Sequence, residues 1–227
     1  MGTENPLVTM DDNALVAAGS DELFEAIKSS QAYLPRLQLM TANSEKCKSG
    51  EFPINHYARV HDSDFRDLGA TVDVLIIAFR PLAIETTVEG DVITCLDPKV
   101  VDGKPTGNFA RIQKEADKPG MNGCMYGPQF LVWVPSAQEF MTYYMASKTA
   151  RRASSQVKAR MKDSATLGSQ KIEGKEFTWY GPTCQACSTP FEMPTAEEVQ
   201  EAVQPFLNPP EPEVTVADAG EEGTREQ

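Results

Sequence analysis

Apolar and polar residues alternate along several short segments of the chain, which is the pattern of β-strands that bury one face. The clearest segment is residues 71–79 (TVDVLIIAF), which is rich in β-branched residues and is followed by Pro81, where we expect the strand to break. Residues 83–88 and 91–95 are separated by a Glu-Gly pair and predict a tight hairpin. Strands this closely spaced indicate a compact β meander or barrel.

Weaker patterns predict further elements on both sides of this region. We expect strands at residues 33–40, 56–60 and 129–134, and a final pair at 167–172 and 175–180 that turns at Gly174 and ends at Pro182. Short helical segments are predicted at residues 20–29 and 43–50. The Gly, Pro, Lys, Asp and Asn content of residues 97–127 predicts a long loop.

Two capping-box sequences predict longer helices. Ser136 lies three residues before Glu139, and apolar residues at helical spacing follow, so we expect one helix over residues 136–161. Thr195 and Glu198 have the same spacing and predict an amphipathic helix over residues 195–206.

This order of elements predicts an α+β, β-rich fold: an OB-fold-like small barrel with a long helix inserted before the last strands. We expect a flexible N-terminus over residues 1–20, one globular domain over 21–195, a C-terminal helix over 196–207 and a disordered acidic tail over 208–227. Other small α+β folds share this order of elements.

The composition fits a folded protein of the cytoplasm. The chain has 227 residues, of which 41% are hydrophobic, enough for one large or two small domains. It has no apolar stretch of roughly 18 residues and no basic, then apolar, N-terminal leader, so we expect neither a membrane span nor a secretory signal. Five cysteines are an odd number at low density, which favours a reducing compartment: the cytoplasm, or the host cytoplasm if the protein is viral.

The negative charge is concentrated at the C-terminal end. The formal net charge is −12, and residues 196–227 alone hold nine acidic side chains and one basic side chain. From about Asn208 onward this end is rich in proline and has no aromatic residue, so that part lacks the apolar surface needed to fold. It is either a solubilising end or a tail that competes for the protein's own basic surface or docks on partner proteins.

A basic segment lies in the body of the chain. Six basic side chains and no acidic one occur between residues 148 and 162. Lys148, Arg151, Ser155, Lys158 and Lys162 have offsets of 0, 3, 7, 10 and 14, so they form one stripe on the predicted helix, and Arg152 lies one position around from it. Exposed helices ordinarily pair acids with bases. The stripe is therefore either a solvated helix face or a surface for an anion.

Residues suited to catalysis are few. His56 and His61 are the only histidines, and no phosphate-binding loop sequence occurs, so we expect no enzymatic activity and no cofactor. Cys184 and Cys187 have the two-residue spacing of zinc and redox sites. A zinc site needs two further ligands, and no second close cysteine pair is present, so the zinc-dependent alternative is weaker than that of ordinary thiols.

Aromatic and basic residues on predicted strands suggest binding instead. Aromatic rings that stack on bases, beside Lys and Arg that contact the backbone, hold single-stranded nucleic acid without reading its sequence. Arg36, Arg59 and Arg80 lie on or beside predicted strands, as do Phe79, Trp133 and Phe177. The predicted nucleic-acid-binding residues are Lys148, Arg151, Arg152, Lys158, Lys162, Arg80, Trp179, Tyr180 and Tyr57.

In plan, the chain resembles a bacteriophage-type single-stranded DNA-binding protein. The likeness consists of the strand-rich body, the helix inserted before the last strands and the acidic C-terminal tail, together with segments such as YLPRLQLMTANSE (residues 33–45) and SKTARR (147–152). It implies single-stranded DNA as the partner in DNA replication or recombination, with the tail competing in cis or recruiting partner proteins. The alternative is a viral structural or assembly protein that binds no nucleic acid.

Overall fold

The structure, a computed structural model, describes residues 34–88, 92–96, 98–101, 104–118, 123–174 and 178–209. The helix predicted at residues 20–29 and all but two residues of the predicted acidic tail lie outside this part. The strands are β1 (Arg36–Leu39), β2 (Tyr57–His61), β3 (Asp64–Gly69), β4 (Val72–Thr86), β5 (Val92–Cys95), β6 (Lys99–Val101), β7 (Lys104–Thr106), β8 (Cys124–Val134), β9 (Glu139–Tyr144), β10 (Ser164–Glu173) and β11 (Thr178–Ala186). The helices are α1 (Glu45–Lys48), α2 (Gly107–Ala116), α3 (Lys148–Lys158) and α4 (Ala196–Leu207).

Nine of the described strands form one mixed sheet, which confirms a β-rich α+β protein. Their order is β11-β10-β4-β8-β9-β1-β2-β3, and β5 pairs with β4 beside this path. Strands β1 and β9 run parallel, whereas the other pairs are antiparallel. The end strands β11 and β3 do not pair with each other in the described chain. The sheet is therefore not closed into the barrel that the sequence suggested.

Strand β4 is the centre of the sheet, and Pro81 does not break it. Residues 75–85 of β4 pair with β8, and Pro81 lies opposite Pro128. The Pro128 carbonyl accepts a hydrogen bond from the Met145 N–H at 3.0 Å, on the side away from β4. Pro81 and Pro128 therefore form a non-hydrogen-bonded pair of the antiparallel ladder. At such a pair the missing proline N–H groups remove no hydrogen bond between β4 and β8. The predicted break at Pro81 was wrong for this reason.

The sheet carries an apolar core on each face. The larger core gathers Val74, Phe130, Met141 and Leu167 and is covered by Val157 of α3. The sheet curls far enough over this core for the Tyr57 hydroxyl on β2 to donate to the Gly168 carbonyl on β10 at 2.9 Å.

On the other face, α4 packs Ala202 and Phe206 against Leu131, as its amphipathic pattern predicts. The capping box at Thr195 and Glu198 is present, since the Thr195 side chain accepts from the Glu198 N–H and the Glu198 carboxylate accepts from the Thr195 N–H. The predicted C-terminal helix is thus confirmed as part of the folded body. No helix in the described ranges is both long and apolar enough to cross a membrane.

The helix predicted over residues 136–161 was wrong in its first half. Residues 135–138 form a turn, and β9 follows as the hairpin partner of β8. Met141, Tyr143 and Met145 are buried alternately, so the apolar residues that fit a helical stripe follow a period of two instead. Glu139 does not cap a helix; its carboxylate pairs with the Arg59 guanidinium at 2.5 Å.

Three further predictions were wrong at their boundaries. The predicted loop over residues 97–127 contains β6, β7, α2 and the start of β8, because Phe109 and Ile112 give α2 a small buried face. Residues 64–69, for which no strand is predicted, form strand β3 beyond the end of the strand predicted at 56–60. Strand β11 continues through Pro182 to Ala186, as a strand at the edge of a sheet can.

Candidate nucleic-acid interface

Helix α3 presents three of the six predicted basic residues to solvent. The Ser147 hydroxyl caps the helix by accepting from the Ala150 N–H at 3.1 Å. The exposed basic side chains of this helix are Lys148, Arg152 and Lys158. Within the described chain, the salt bridges include none of these three cations. An eleven-residue helix is about 16 Å long, so they span the width of two or three nucleotides.

Lys162 is close to this surface but is not on the helix. Helix α3 ends at Lys158, and Lys162 has a left-handed backbone with φ of 68°. Its N–H donates to the Ile76 carbonyl of β4 at 2.7 Å, and its side chain is exposed. The predicted stripe therefore bends at its end toward the edge of β4.

Arg151 is held by the fold and does not face solvent with the others. Its guanidinium pairs with the Asp117 carboxylate at 2.5 Å, donates to the Ala146 carbonyl at 2.5 Å and lies 3.9 Å from the centre of the Tyr126 ring. The Tyr126 hydroxyl donates to the same carboxylate at 2.9 Å. Arg151 thus ties the start of α3 to the end of α2, and the fold does not bring it together with the exposed cations of the helix.

Phe79 is the exposed aromatic ring nearest to the basic surface. Its side chain is 40% exposed, packs on Phe130 with 6.0 Å between ring centres, and has the Lys158 amino group 4.5 Å from its own centre. Sequence reasoning placed Phe79 on a strand but did not select it as a site residue. The sequence feature that could have identified Phe79 is Pro81, two residues further along the strand. A proline has no N–H to donate, so within a sheet it marks a strand edge that a neighbouring strand does not pair with.

Trp179 and Tyr180 lie at the other end of α3. The alternation along β11 places Trp179 against the helix, where its indole N–H donates to the Thr149 hydroxyl at 3.1 Å. Tyr180 is 41% exposed and lies opposite Lys171 in the β10–β11 ladder. Tyr180 and Lys171 therefore lie on the face of the sheet away from α3, whereas Trp179 holds α3 on the sheet.

Tyr57 and Arg80, both predicted to bind nucleic acid, make contacts within the fold and away from the α3 surface. Tyr57 is fully buried, and burial raises the pKa of its hydroxyl well above the usual value. Arg80 extends onto the face covered by α4, where it donates to the Phe206 carbonyl and to the Gln129 side chain and lies 4.5 Å from the Phe206 ring centre. Burial lowers the pKa of Arg80 to about 10, so it stays charged at neutral pH. Neither residue can reach a nucleic acid at the α3 surface.

The remaining predicted residues have other partners. Arg59 pairs with Glu139 and Asp64, while the Trp133 indole N–H donates to the Glu192 carbonyl at 3.2 Å. Arg36 is exposed on β1, and Phe177 lies outside the described residues. Arg59 and Trp133 therefore have partners other than the α3 surface.

Cys184 and Cys187 do not form one site. Cys184 packs against the larger core, and burial raises the pKa of its thiol. The Cys187 thiol instead donates to the Thr189 carbonyl at 3.3 Å. In the part of the chain that the structure covers, no three metal-binding side chains are grouped to hold an ion.

A cleft of about 600 Å³ lies beside the start of α3. Its lining includes Lys148 and the exposed Met125, together with Arg151 and its partner Asp117. Lys118 also lines the cleft and pairs with Glu115, so Lys148 is the lining cation without a described carboxylate partner.

The comparisons with known proteins give no further assignment. The chain matches no protein-family model, and no curated protein and no solved structure matches it.

Proposed function

We propose that this protein binds single-stranded DNA and acts without catalysis. The observation that carries the proposal is the pairing of Phe79 and Lys158: an exposed aromatic ring on the sheet lies under an exposed amino group. A base stacked on such a ring gains about 1–3 kcal/mol, and the amino group is placed to contact the adjoining phosphate. We propose further that the curled sheet serves as an OB-like platform for the strand.

The basic surface supports this proposal through its lack of neutralising partners. Lys148, Arg152 and Lys158 are exposed on one helix and form no salt bridge with a described carboxylate. Like charges along one helix repel, so the surface is stabilised when a polyanion lies on it. A role for the bound strand in replication or recombination follows from the proposed partner and is part of the same proposal.

A fluorescence-anisotropy titration tests the proposal directly. Labelled single-stranded and double-stranded oligonucleotides are titrated with the full chain at two salt concentrations. We expect tighter binding to the single strand, with an affinity that falls as salt rises because counterions are released. Absence of binding to either probe at low salt overturns the proposal, and a defined large oligomer in sedimentation would then favour an assembly protein.

Matched variants locate the binding surface. Phe79→Ala and Lys158→Gln should each weaken single-strand binding, by about 1–3 kcal/mol for the lost stacking in Phe79→Ala. The control is Lys46→Gln, because Lys46 also lies over a phenylalanine ring, 5.2 Å from the centre of Phe65, but at the far end of the sheet. Equal loss of affinity in Lys46→Gln and Lys158→Gln would contradict the location.

A further inference from the structure

Beside Phe79, one edge of strand β4 is not paired with any strand that the structure describes. On the edge of β4 that faces away from β8, residues 72–75 pair with β10 and residues 83–86 pair with β5. Between them, the Ile76 carbonyl and N–H bond to Lys162 and Asp163. No described strand pairs with residues 77–82 on this side. Among the residues that the structure describes, the sheet therefore has a gap one strand wide, which is defined here as the β4 gap.

The register fixes which main-chain groups face the β4 gap. Pro81 lies opposite Pro128, whose carbonyl is directed toward β9, so the backbone of Pro81 is directed away from β8. Because successive residues of a strand direct their N–H and C=O groups to opposite sides, the same orientation applies to Phe79. The β4 gap thus receives one donor, the Phe79 N–H, and two acceptors, the Phe79 and Pro81 carbonyls. No described strand pairs with β4 at these groups on this side, and no turn or loop of the described chain donates to them or accepts from them through its backbone.

We propose that the β4 gap binds the Watson–Crick edge of one unpaired nucleobase through the Phe79 and Pro81 main chain. This inference rests on the proposed function, since it concerns the strand held at Phe79 and Lys158. A main-chain donor beside a main-chain acceptor matches the edge of a base, which carries a donor next to an acceptor whatever the base. Main-chain N–H and C=O groups that have no partner in the protein form hydrogen bonds with water, and a bound base would replace that water.

The consequence is selectivity for single strands rather than for sequence. Each of the four bases has a neighbouring donor and acceptor, so the β4 gap tolerates any of them. In a duplex these edges are already paired within the base pairs and cannot enter the β4 gap. The main chain of β4 would therefore exclude duplex DNA at a point where side-chain charge alone would attract it.

Amide hydrogen exchange measured by NMR tests this on the full chain. In the free protein the Phe79 amide should exchange fast, although it lies in a central strand, whereas the Arg80 and Leu82 amides that face β8 should exchange slowly. Saturating oligothymidylate should slow the exchange of the Phe79 amide by about tenfold or more, with no such change at Arg80. Unchanged exchange at Phe79 under saturation overturns the inference.

A second probe separates this inference from the proposed function. An oligonucleotide of difluorotoluene deoxynucleosides keeps the shape and ring stacking of thymidine but lacks its hydrogen-bonding edge. We expect it to bind about two- to tenfold more weakly than oligothymidylate, which corresponds to one or two lost hydrogen bonds, and to leave the Phe79 amide unprotected. Equal affinity for both probes overturns the main-chain contact but leaves the proposed function standing. Binding of neither probe overturns the proposed function itself.

Discussion

Arg151 and Arg152 are neighbours in sequence, and their surroundings give them different roles. The Arg151 guanidinium is held by Asp117, the Tyr126 ring and the Ala146 carbonyl, while Arg152 faces solvent. A charged group with several partners contributes to the free energy of unfolding, whereas an isolated surface charge contributes little. The residue that is less constrained by the fold is the one available to an anion.

Substitution of these two arginines should separate stability from binding. Arg151→Ala should lower the free energy of unfolding by about 1–3 kcal/mol, because the Asp117 carboxylate loses its charged partner. Arg152→Ala should change stability by less than about 0.5 kcal/mol and reduce the slope of affinity against salt by about 0.7 for one lost phosphate contact. Urea unfolding and salt-dependent anisotropy measure the two effects. If Arg151→Ala instead reduced the slope of affinity against salt and left the free energy of unfolding unchanged, Arg151 and not Arg152 would be the phosphate contact.

Tyr57 gives a second separation at the residue scale. Its hydroxyl is buried and donates to the Gly168 carbonyl at 2.9 Å, which joins the two sides of the curled sheet. Tyr57→Phe should therefore cost about 0.5–1.5 kcal/mol of stability and leave oligonucleotide affinity unchanged. Thermal unfolding and anisotropy on the same sample test this. Weaker oligonucleotide binding with an unchanged midpoint of thermal unfolding would show that Tyr57 contacts the nucleic acid.

Among the elements, α4 depends on one side chain of the sheet. Phe206 packs against Leu131, and the burial of such a ring contributes about 2 kcal/mol. The carbonyl of Phe206 lies in the last turn of α4 and accepts from the Arg80 guanidinium. A positive charge at this C-terminal end also interacts favourably with the negative end of the helix dipole. Arg80 therefore fixes the end of the chain's last folded helix on β4.

Arg80→Met should loosen α4 while the sheet stays folded. The variant keeps an apolar stem against Phe206 but removes the charged donor, so we expect a loss of about 1–3 kcal/mol and faster deuterium uptake over residues 196–207. Arg66→Met is the control, because Arg66 is exposed on β3. Similar uptake in α4 for both variants would show that packing alone holds the helix.

At the scale of the whole molecule, opposite charges are separated along the chain. Residues 208–227 contain six acidic side chains and one basic side chain, whereas residues 148–162 contain six basic side chains and no acidic one. The acidic residues repel a phosphate backbone that approaches the body, over a distance set by a Debye length of about 8 Å at physiological salt.

Deletion of residues 208–227 should therefore tighten single-strand binding and change its salt dependence. The difference between the truncated and full chains should be largest at low salt and vanish near 1 M salt, where the Debye length is about 3 Å. Anisotropy titrations of both proteins across that range measure it. An equal affinity at low salt would show that the acidic end does not act on the binding surface.

Local signals in the sequence predicted the elements whose cause is local. Thr195 and Glu198 cap α4 because both partners lie within one turn, and the β-branched run of β4 needs no distant residue to favour a strand. Residues 139–145 were predicted wrongly because Phe140, Met141, Tyr144 and Met145 fit a helical stripe as well as a strand. Pairing with β8 decides between the two, and this contact is formed only in the folded chain.

By itself the sequence determined the strand-rich composition, the capped last helix, the basic segment and the acidic end, since each depends on residue type and short spacing. Only the tertiary structure decided that Arg151, Arg80 and Tyr57 serve the fold, that Phe79 lies exposed beneath Lys158, and that no described strand pairs with one edge of β4 at residues 77–82. These properties depend on which side of a strand or helix meets another element. Burial and the choice of partner arise from contacts between residues far apart in the chain, such as Tyr57 with Gly168, and spacing along the sequence does not encode them.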